Sequence, residues 1–476
     1  MKKSLTQAIA LATAIGASAS AFAVNIDQDG HGSALLFPAY TVENGNSTYV
    51  SVTNTTDKFK AVKVRFVEGM NSAEVLDFNL YLSPQDVWSG MVVPTADGAK
   101  LVSNDTSCIS ANKNGFPAEG MAFRNFEYAG PKADAPAAFQ GLDRARVGHF
   151  EVIEMGDIDP ALWLNAGISA GAAIKHVNGV PGSCAAINSA WNNGGTWKSL
   201  PAAGMSPGTG GLYGTAAIVN VDAGWASTYD ATALANFAAS QIHAEPGLVT
   251  PSLTQAAPEA TFKEGTVAIA APGRGIDAVS AVLMKEAIQN DYLIGAGLNA
   301  QTDMVVTFPT KRQYVNLALA DPKDTVRTFA APFTAGWNTV TAKACEPVNV
   351  TYYDTEEGSL VLQDEQISPK PPAGEGLALC HETNILHISG SNLLGGQFVG
   401  HDLNLGAGFS QGWINVDFAD VAARQIALED AAPGDTVIKG LPAIGFSTVA
   451  TQNGDVGGLL SNYAQSFAHK ATTTLE

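Results

Sequence analysis

The chain has 476 residues, with 45 acidic side chains against 26 basic ones and a net charge of −19. A surface this acidic repels phosphate backbones and anionic headgroups, which sets nucleic acid and acidic membranes aside as partners. The length allows two or three domains, or one large β domain with insertions.

The first element is a leader. Lys2 and Lys3 precede an uncharged run rich in Ala, Leu and Ile from Leu5 to Ala17, and Ala21-Phe22-Ala23 has the small-x-small spacing that a signal peptidase cuts after. Residues 1–23 therefore read as a secretory signal peptide, and its removal with Lys2 and Lys3 takes the net charge from −19 to −21. The protein is expected at the cell surface or outside the cell, with the periplasm as the alternative address. No later stretch of about 18 apolar residues follows, so no transmembrane helix is expected.

Just after the leader, Asn25-x-Asp27-x-Asp29-Gly30 places oxygen ligands at every second residue before a glycine, as in the opening of a calcium loop. The twelfth position is Leu36, where an EF-hand needs a bidentate Glu, so a partial loop holding a structural Ca²⁺ is the most this segment offers. No other cofactor is implied. Strands come next. Val62, Val64 and Phe66 alternate with Lys63 and Arg65, and Leu76, Phe78, Leu80 and Leu82 alternate with Asp77, Asn79 and Tyr81. Period-two alternation predicts strands with one buried and one wet face, and turn residues at Glu43–Asn46 and Asn54–Asp57 link them as an antiparallel sandwich over residues 24–155. His149 and Glu151 share a strand face there and form a weak metal-ligand pair.

Composition then shifts. Residues 156–260 are rich in Ala and Gly and read as a partly helical insertion, with helical segments expected within Pro160–Asn192 and Ala231–Ala238. Strand patterning resumes over residues 261–476, at Val267–Ala270, Asp303–Phe308, Val348–Tyr353, Asn384–Ile388, Trp413–Phe418 and Val437–Phe446. A helix from Asp277 to Ile288, capped by Asp277, is expected between the first two. The fold class is thus mainly β: antiparallel β-sandwich domains with a partly helical insertion.

Cys108, Cys184, Cys345 and Cys380 are even in number and bound for an oxidising space, which predicts two disulfides. Of the three pairings open to four cysteines, proximity favours Cys108–Cys184 and Cys345–Cys380. Each closed loop stabilises by roughly 3–4 kcal/mol in the chain-entropy model.

The nearest thing to a catalytic motif is Gly408-Phe409-Ser410-Gln411-Gly412, a G-x-S-x-G followed by acids (Asp417, Asp420, Asp430, Asp435, Asp455) and then His469. The following Trp413–Phe418 reads as a strand, where a nucleophile elbow needs a helix. A serine hydrolase using Ser410 and His469 is therefore the lesser reading. His381 and His387 also share strand parity beside Cys380, and seven tryptophans could offer sugar-stacking platforms if exposed.

Three segments, Ala34-Leu35-Leu36-Phe37-Pro38-Ala39-Tyr40, Val62-Lys63-Val64-Arg65-Phe66 and Thr302-Asp303-Met304-Val305-Val306-Thr307-Phe308-Pro309-Thr310-Lys311, resemble a group of secreted proteobacterial proteins described only as cell surface proteins. Leu379–Asn384 and Gly440–Phe446 are similar too. The resemblance implies location and carries over no catalytic residues. The expected function is a non-enzymatic cell-surface or extracellular-matrix component that acts through other surface proteins, glycans or self-association. A cation- or carbohydrate-binding secreted module is the second expectation, and the hydrolase the third.

Overall fold

The alternating strands lay their apolar faces against each other in two sandwiches. The computed structural model describes residues 22–111, 115–165, 167–262, 265–295, 297–429 and 436–476. Residues 1–21, most of the expected leader, lie outside the described residues, as do Asp430 and Asp435.

In the first sandwich one sheet runs in the order Asn25–Ile26, Thr232–Ala235, Ala34–Thr41, Val147–Ile158, Phe59–Glu68, Glu74–Leu82, Cys108–Ser110. The facing sheet runs Trp225–Asp230, Leu212–Asn220, Asn46–Asn54, Val87–Pro94, Ala99–Val102, Met121–Ala122, and every pairing in both is antiparallel. Phe37, Phe66 and Phe150 come from three neighbouring strands and stack in the space between the sheets, with centroids 4.1 and 4.8 Å apart. Offset stacking of this kind adds to the burial of the rings themselves.

The second sandwich has one sheet in the order Ser359–Val361, Glu346–Asp354, Gln411–Asp417, Ala287–Leu293, Lys470–Thr472. The other is Ile367–Ser368, Gly400–Leu403, Thr383–Ile388, Ala300–Thr307, Ile444–Val456, Leu459–Ala468. Its one parallel pairing joins Thr383–Ile388 to Gly400–Leu403. A small four-stranded sheet and the helix Gly275–Leu283 sit beside it. A single apolar core runs through both sandwiches, and Tyr229 of the first stacks on Phe446 of the second at 4.4 Å.

The expected disulfides are present: Cys108–Cys184 and Cys345–Cys380. The first ties the edge strand Cys108–Ser110 to the helix Cys184–Ser189, next to an aromatic cluster in which Trp191 Nε1 donates to the Tyr81 hydroxyl at 2.8 Å.

Several local details differ from or sharpen the expectation. The Ala-rich 231–238 segment, expected to be partly helical, forms the strand Thr232–Ala235, because it is inserted between Asn25–Ile26 and Ala34–Thr41. The helices of the 156–260 region are short: Ala170–Ile174, Cys184–Ser189 and Thr196–Ser199. The helix after Arg274 spans Gly275–Leu283 rather than reaching Ile288. Asp277 is not its cap residue but sits in the first turn, accepting the Arg274 backbone N–H at 2.9 Å. The stretch 437–446 is broken at Gly440, whose φ is 104° and whose added Cβ would stand 1.8 Å from the Lys285 carbonyl.

The face of Phe59–Glu68 expected to be wet is covered. Segment 241–257 lies over it: Lys63 Nζ donates to the Leu248 carbonyl at 2.7 Å, and Asn79 Nδ2 to the Ala244 carbonyl at 2.9 Å. The charges beneath survive burial because each is paired, Lys63 with Asp77 and Arg65 with Glu151 and Glu74.

A deeply buried charge network lies at the seam between the sandwiches. Arg144, 2% exposed, holds Glu68 through Nε at 2.8 Å and Nη2 at 2.9 Å, and Asp134 through Nη1 at 2.7 Å and Nη2 at 3.1 Å. Removing one partner of such a buried network leaves uncompensated charge and costs about 3–5 kcal/mol. Arg144→Ala should therefore lower the urea midpoint by that equivalent. Lys198→Ala, which breaks the more exposed pair with Glu245 at 2.7 Å, should cost less than about 1 kcal/mol in the same measurement.

Candidate functional site

Between the sandwiches opens a polar cleft of about 1280 Å³. The first sandwich contributes Glu43, Asp97, Asp143 and Arg146, and the second contributes His387, Asp402 and the loop carrying Ser391 and Gly396. Glu43 is delivered by the turn after Ala34–Thr41, where Asn44 and Gly45 have φ of 54° and 80°. Arg146 stands at the head of Val147–Ile158 and donates through Nη2 to the Thr95 and Ala96 carbonyls at 3.0 and 2.9 Å, which anchors the neighbouring turn that carries Asp97.

The loop after strand Thr383–Ile388 is pinned from both sides. Thr41 Oγ1 donates to the Leu394 carbonyl at 2.7 Å, Asn46 Nδ2 to Leu393 at 2.8 Å and Asn44 Nδ2 to Asn392 at 2.7 Å. Glu43 Oε2 accepts the Gln397 N–H at 2.9 Å, and Asp303 Oδ2 accepts the Leu394 N–H at 2.8 Å. The cleft rim is therefore held in place before any ligand arrives, and less ordering entropy is lost on binding.

His387 lies at the base. Its Nδ1 is 3.0 Å from Oδ1 of the fully buried Asp303, its cross-strand neighbour, and Asp402 is its neighbour on the other side. Gly400 is required there, since a Cβ would come 2.8 Å from His387 Nε2. Burial lowers the pKa of His387, but the Asp303 carboxylate beside it outweighs burial, and the ring ends above its ordinary value. Four carboxylates face one guanidinium and one imidazole around the cleft. Such a lining accepts hydrogen bonds from hydroxyls and ammonium groups and rejects anions.

The residues singled out in the sequence go to separate places. Ser410 is exposed in the loop entering Gln411–Asp417, so the G-x-S-x-G precedes a strand. His469 donates through Nε2 to the Val305 carbonyl at 2.8 Å and accepts from Asn290 Nδ2 at 3.0 Å through Nδ1, so both ring nitrogens are engaged and neither partner is Ser410. Burial pulls its pKa down to about 4.

Asp27 Oδ1 accepts the Asp29 and His31 N–H groups at 3.0 Å each and so closes a local turn, while Asn25 Oδ1 accepts Asn236 Nδ2 at 3.1 Å from beyond the end of strand Thr232–Ala235. His149 and Glu151 are buried. His149 sits 3.4 Å from Ser72 Oγ and 3.3 Å from Thr383 Oγ1, while Glu151 holds Arg65. Burial pulls the His149 pKa down to about 3. His381, with its pKa also lowered by burial, reaches the Ala342 carbonyl at 3.3 Å, and its hydrogen-bond partners are not those of His387. Among the described residues no cluster of three His, Cys, Asp or Glu side chains is arranged to hold a metal ion.

Sequence reasoning missed Asp303 and Asp402 as partners of His387. In the sequence Asp303 reads as an ordinary strand residue, and only the cross-strand register reveals the pair. The chain matches no protein-family model, no curated protein and no solved structure.

The His387–Asp303 pair has a pH signature. A raised folded pKa gives stability that is full below the unfolded value, near 6.5, and is lost as pH rises through the folded value. Between about pH 6 and about pH 9 the melting temperature of the wild type should fall more steeply than that of Asp303→Asn, read by calorimetry on both.

Proposed function

We propose that the protein is a cell-surface or extracellular-matrix binding protein that holds a neutral, polyhydroxylated ligand, a glycan chain, in the cleft between its sandwiches. The observation that carries this reading is the preformed cleft of about 1280 Å³, lined by carboxylates and amides around a single guanidinium, with acids in excess. Hydroxyl groups need acceptors and donors in alternation, and Asp143, Asp402 and Arg146 supply both. The two disulfides suit an oxidising compartment, and no described helix is long and apolar enough to cross a membrane. The resemblance of Ala34–Tyr40 and Thr302–Lys311 to secreted surface proteins supports the same address.

Titration calorimetry against a panel of neutral oligosaccharides tests the reading. The wild type should bind at least one, and the pair Asp143→Asn with Asp402→Asn should weaken it by about tenfold, which corresponds to about 1.4 kcal/mol. Neither aspartate is buried, so the variant should keep the wild-type melting temperature. A folded wild type that binds no glycan, or a double variant that binds as well as the wild type, overturns the proposal. Labelling with a fluorophosphonate probe checks the hydrolase alternative in parallel, and no label on Ser410 is expected.

A further inference from the structure

The seven tryptophans divide sharply once the fold is known. Trp88, Trp191, Trp197, Trp225 and Trp337 are buried, while Trp163 is 65% exposed and Trp413 is 37% exposed. Trp163 stands on a two-stranded ribbon, with no ring packed on it among the described residues. Trp413 differs. It projects from the outer face of strand Gln411–Asp417 and stacks on Tyr353 of the adjacent strand, with centroids 4.0 Å apart and planes 4° from parallel.

The register defines the surroundings. Asp291 lies directly across from Trp413 on the other neighbouring strand and is exposed. The next row on the same face holds Thr351, Asn415 and Gln289, with Gln289 Nε2 donating to Asn415 Oδ1 at 2.8 Å, and Val361 beside Thr351 is 54% exposed. The inner face of these strands carries Val350, Tyr352, Ile414 and Val416, all buried, so the outer aromatic pair is not needed to fill the core.

We propose that this outer face, centred on Trp413 and Tyr353, is a second binding site, and that its ligand is the pyranose ring of a neutral glycan. A pyranose has an apolar C–H face and an equatorial rim of hydroxyls. Trp413 offers the matching aromatic surface. Asp291 and the amides of Gln289 and Asn415 offer acceptors and donors at the rim. The face carries Asp291 and Asp417 against the exposed Lys470, which lies in register with Gln289, and this acidic excess disfavours uronates and sulfated sugars. The site shares its ligand class with the cleft reading but none of its residues, so the two can fail separately.

The test is titration of the full chain with neutral hexose and N-acetylhexosamine oligosaccharides and with a uronate oligosaccharide, followed by tryptophan fluorescence and calorimetry. The wild type should show a saturable fluorescence change with a neutral sugar and none with the uronate. Trp413→Ala should lose that change and at least tenfold in affinity at this site, and Asp291→Asn about fivefold. The Asp143→Asn, Asp402→Asn pair should retain both the change and the affinity. Should Trp413→Ala fail to fold, Trp413→Phe and Asp291→Asn carry the test, with weakened binding at wild-type melting temperature expected. Unaltered sugar affinity in the Trp413 and Asp291 variants overturns this site while leaving the cleft reading intact. Preference for the uronate, or no sugar response in the wild type, overturns it as well.

Discussion

The seam depends on one buried guanidinium. Arg144 neutralises Glu68 and Asp134 at once, in a place where each carboxylate alone would be prohibitively costly. Glu68, so held, accepts the backbone N–H groups of Met70 at 2.7 Å, Asn71 at 3.1 Å and Ala73 at 2.8 Å, which fixes the turn that carries them. That turn then docks on the second sandwich: the Thr383 N–H donates to the Gly69 carbonyl at 2.8 Å and Arg312 to Asn71 at 2.6 Å. Thr383 begins the strand that ends near His387. The charge network of one sandwich thereby sets the position of the cleft residues of the other.

Further charges along the same seam are managed by desolvation. Burial pushes Glu382 up to about 8 and pulls Lys311 down to about 8, so each is closer to its neutral form than in water. Lys311 is held by the Leu379 and His381 carbonyls at 3.2 and 3.3 Å.

Much of the strand content was legible, because Val62, Val64 and Phe66 against Lys63 and Arg65 is a pattern only a strand can use. The alternation did not show that the charged face would be roofed by residues 241–257, since covering a sheet depends on a segment almost two hundred residues away. Asp277 was legible as a helix-start residue but not its place in the turn, because a carboxylate three positions past the cap bonds the same helix-end N–H groups as one at the cap. Thr232–Ala235 has Ala and Leu, which suit a helix, yet it fills a gap between two strands, and tertiary pairing overrides the propensity.

Of the candidate sites, the aromatic one was half visible: the sequence shows seven tryptophans but not which faces are wet. The cleft was not visible at all. Its members, Glu43, Asp143, His387 and Asp402, are scattered across more than three hundred positions and share no motif. By itself the sequence determined the leader reading, the acidic balance, the β class and the cysteines that pair, because these follow from local pattern, composition and spacing. Only the tertiary structure decided which charges are buried together, which tryptophan stands outside and where a cleft opens. Those are properties of long-range register and packing, which no local window of sequence encodes.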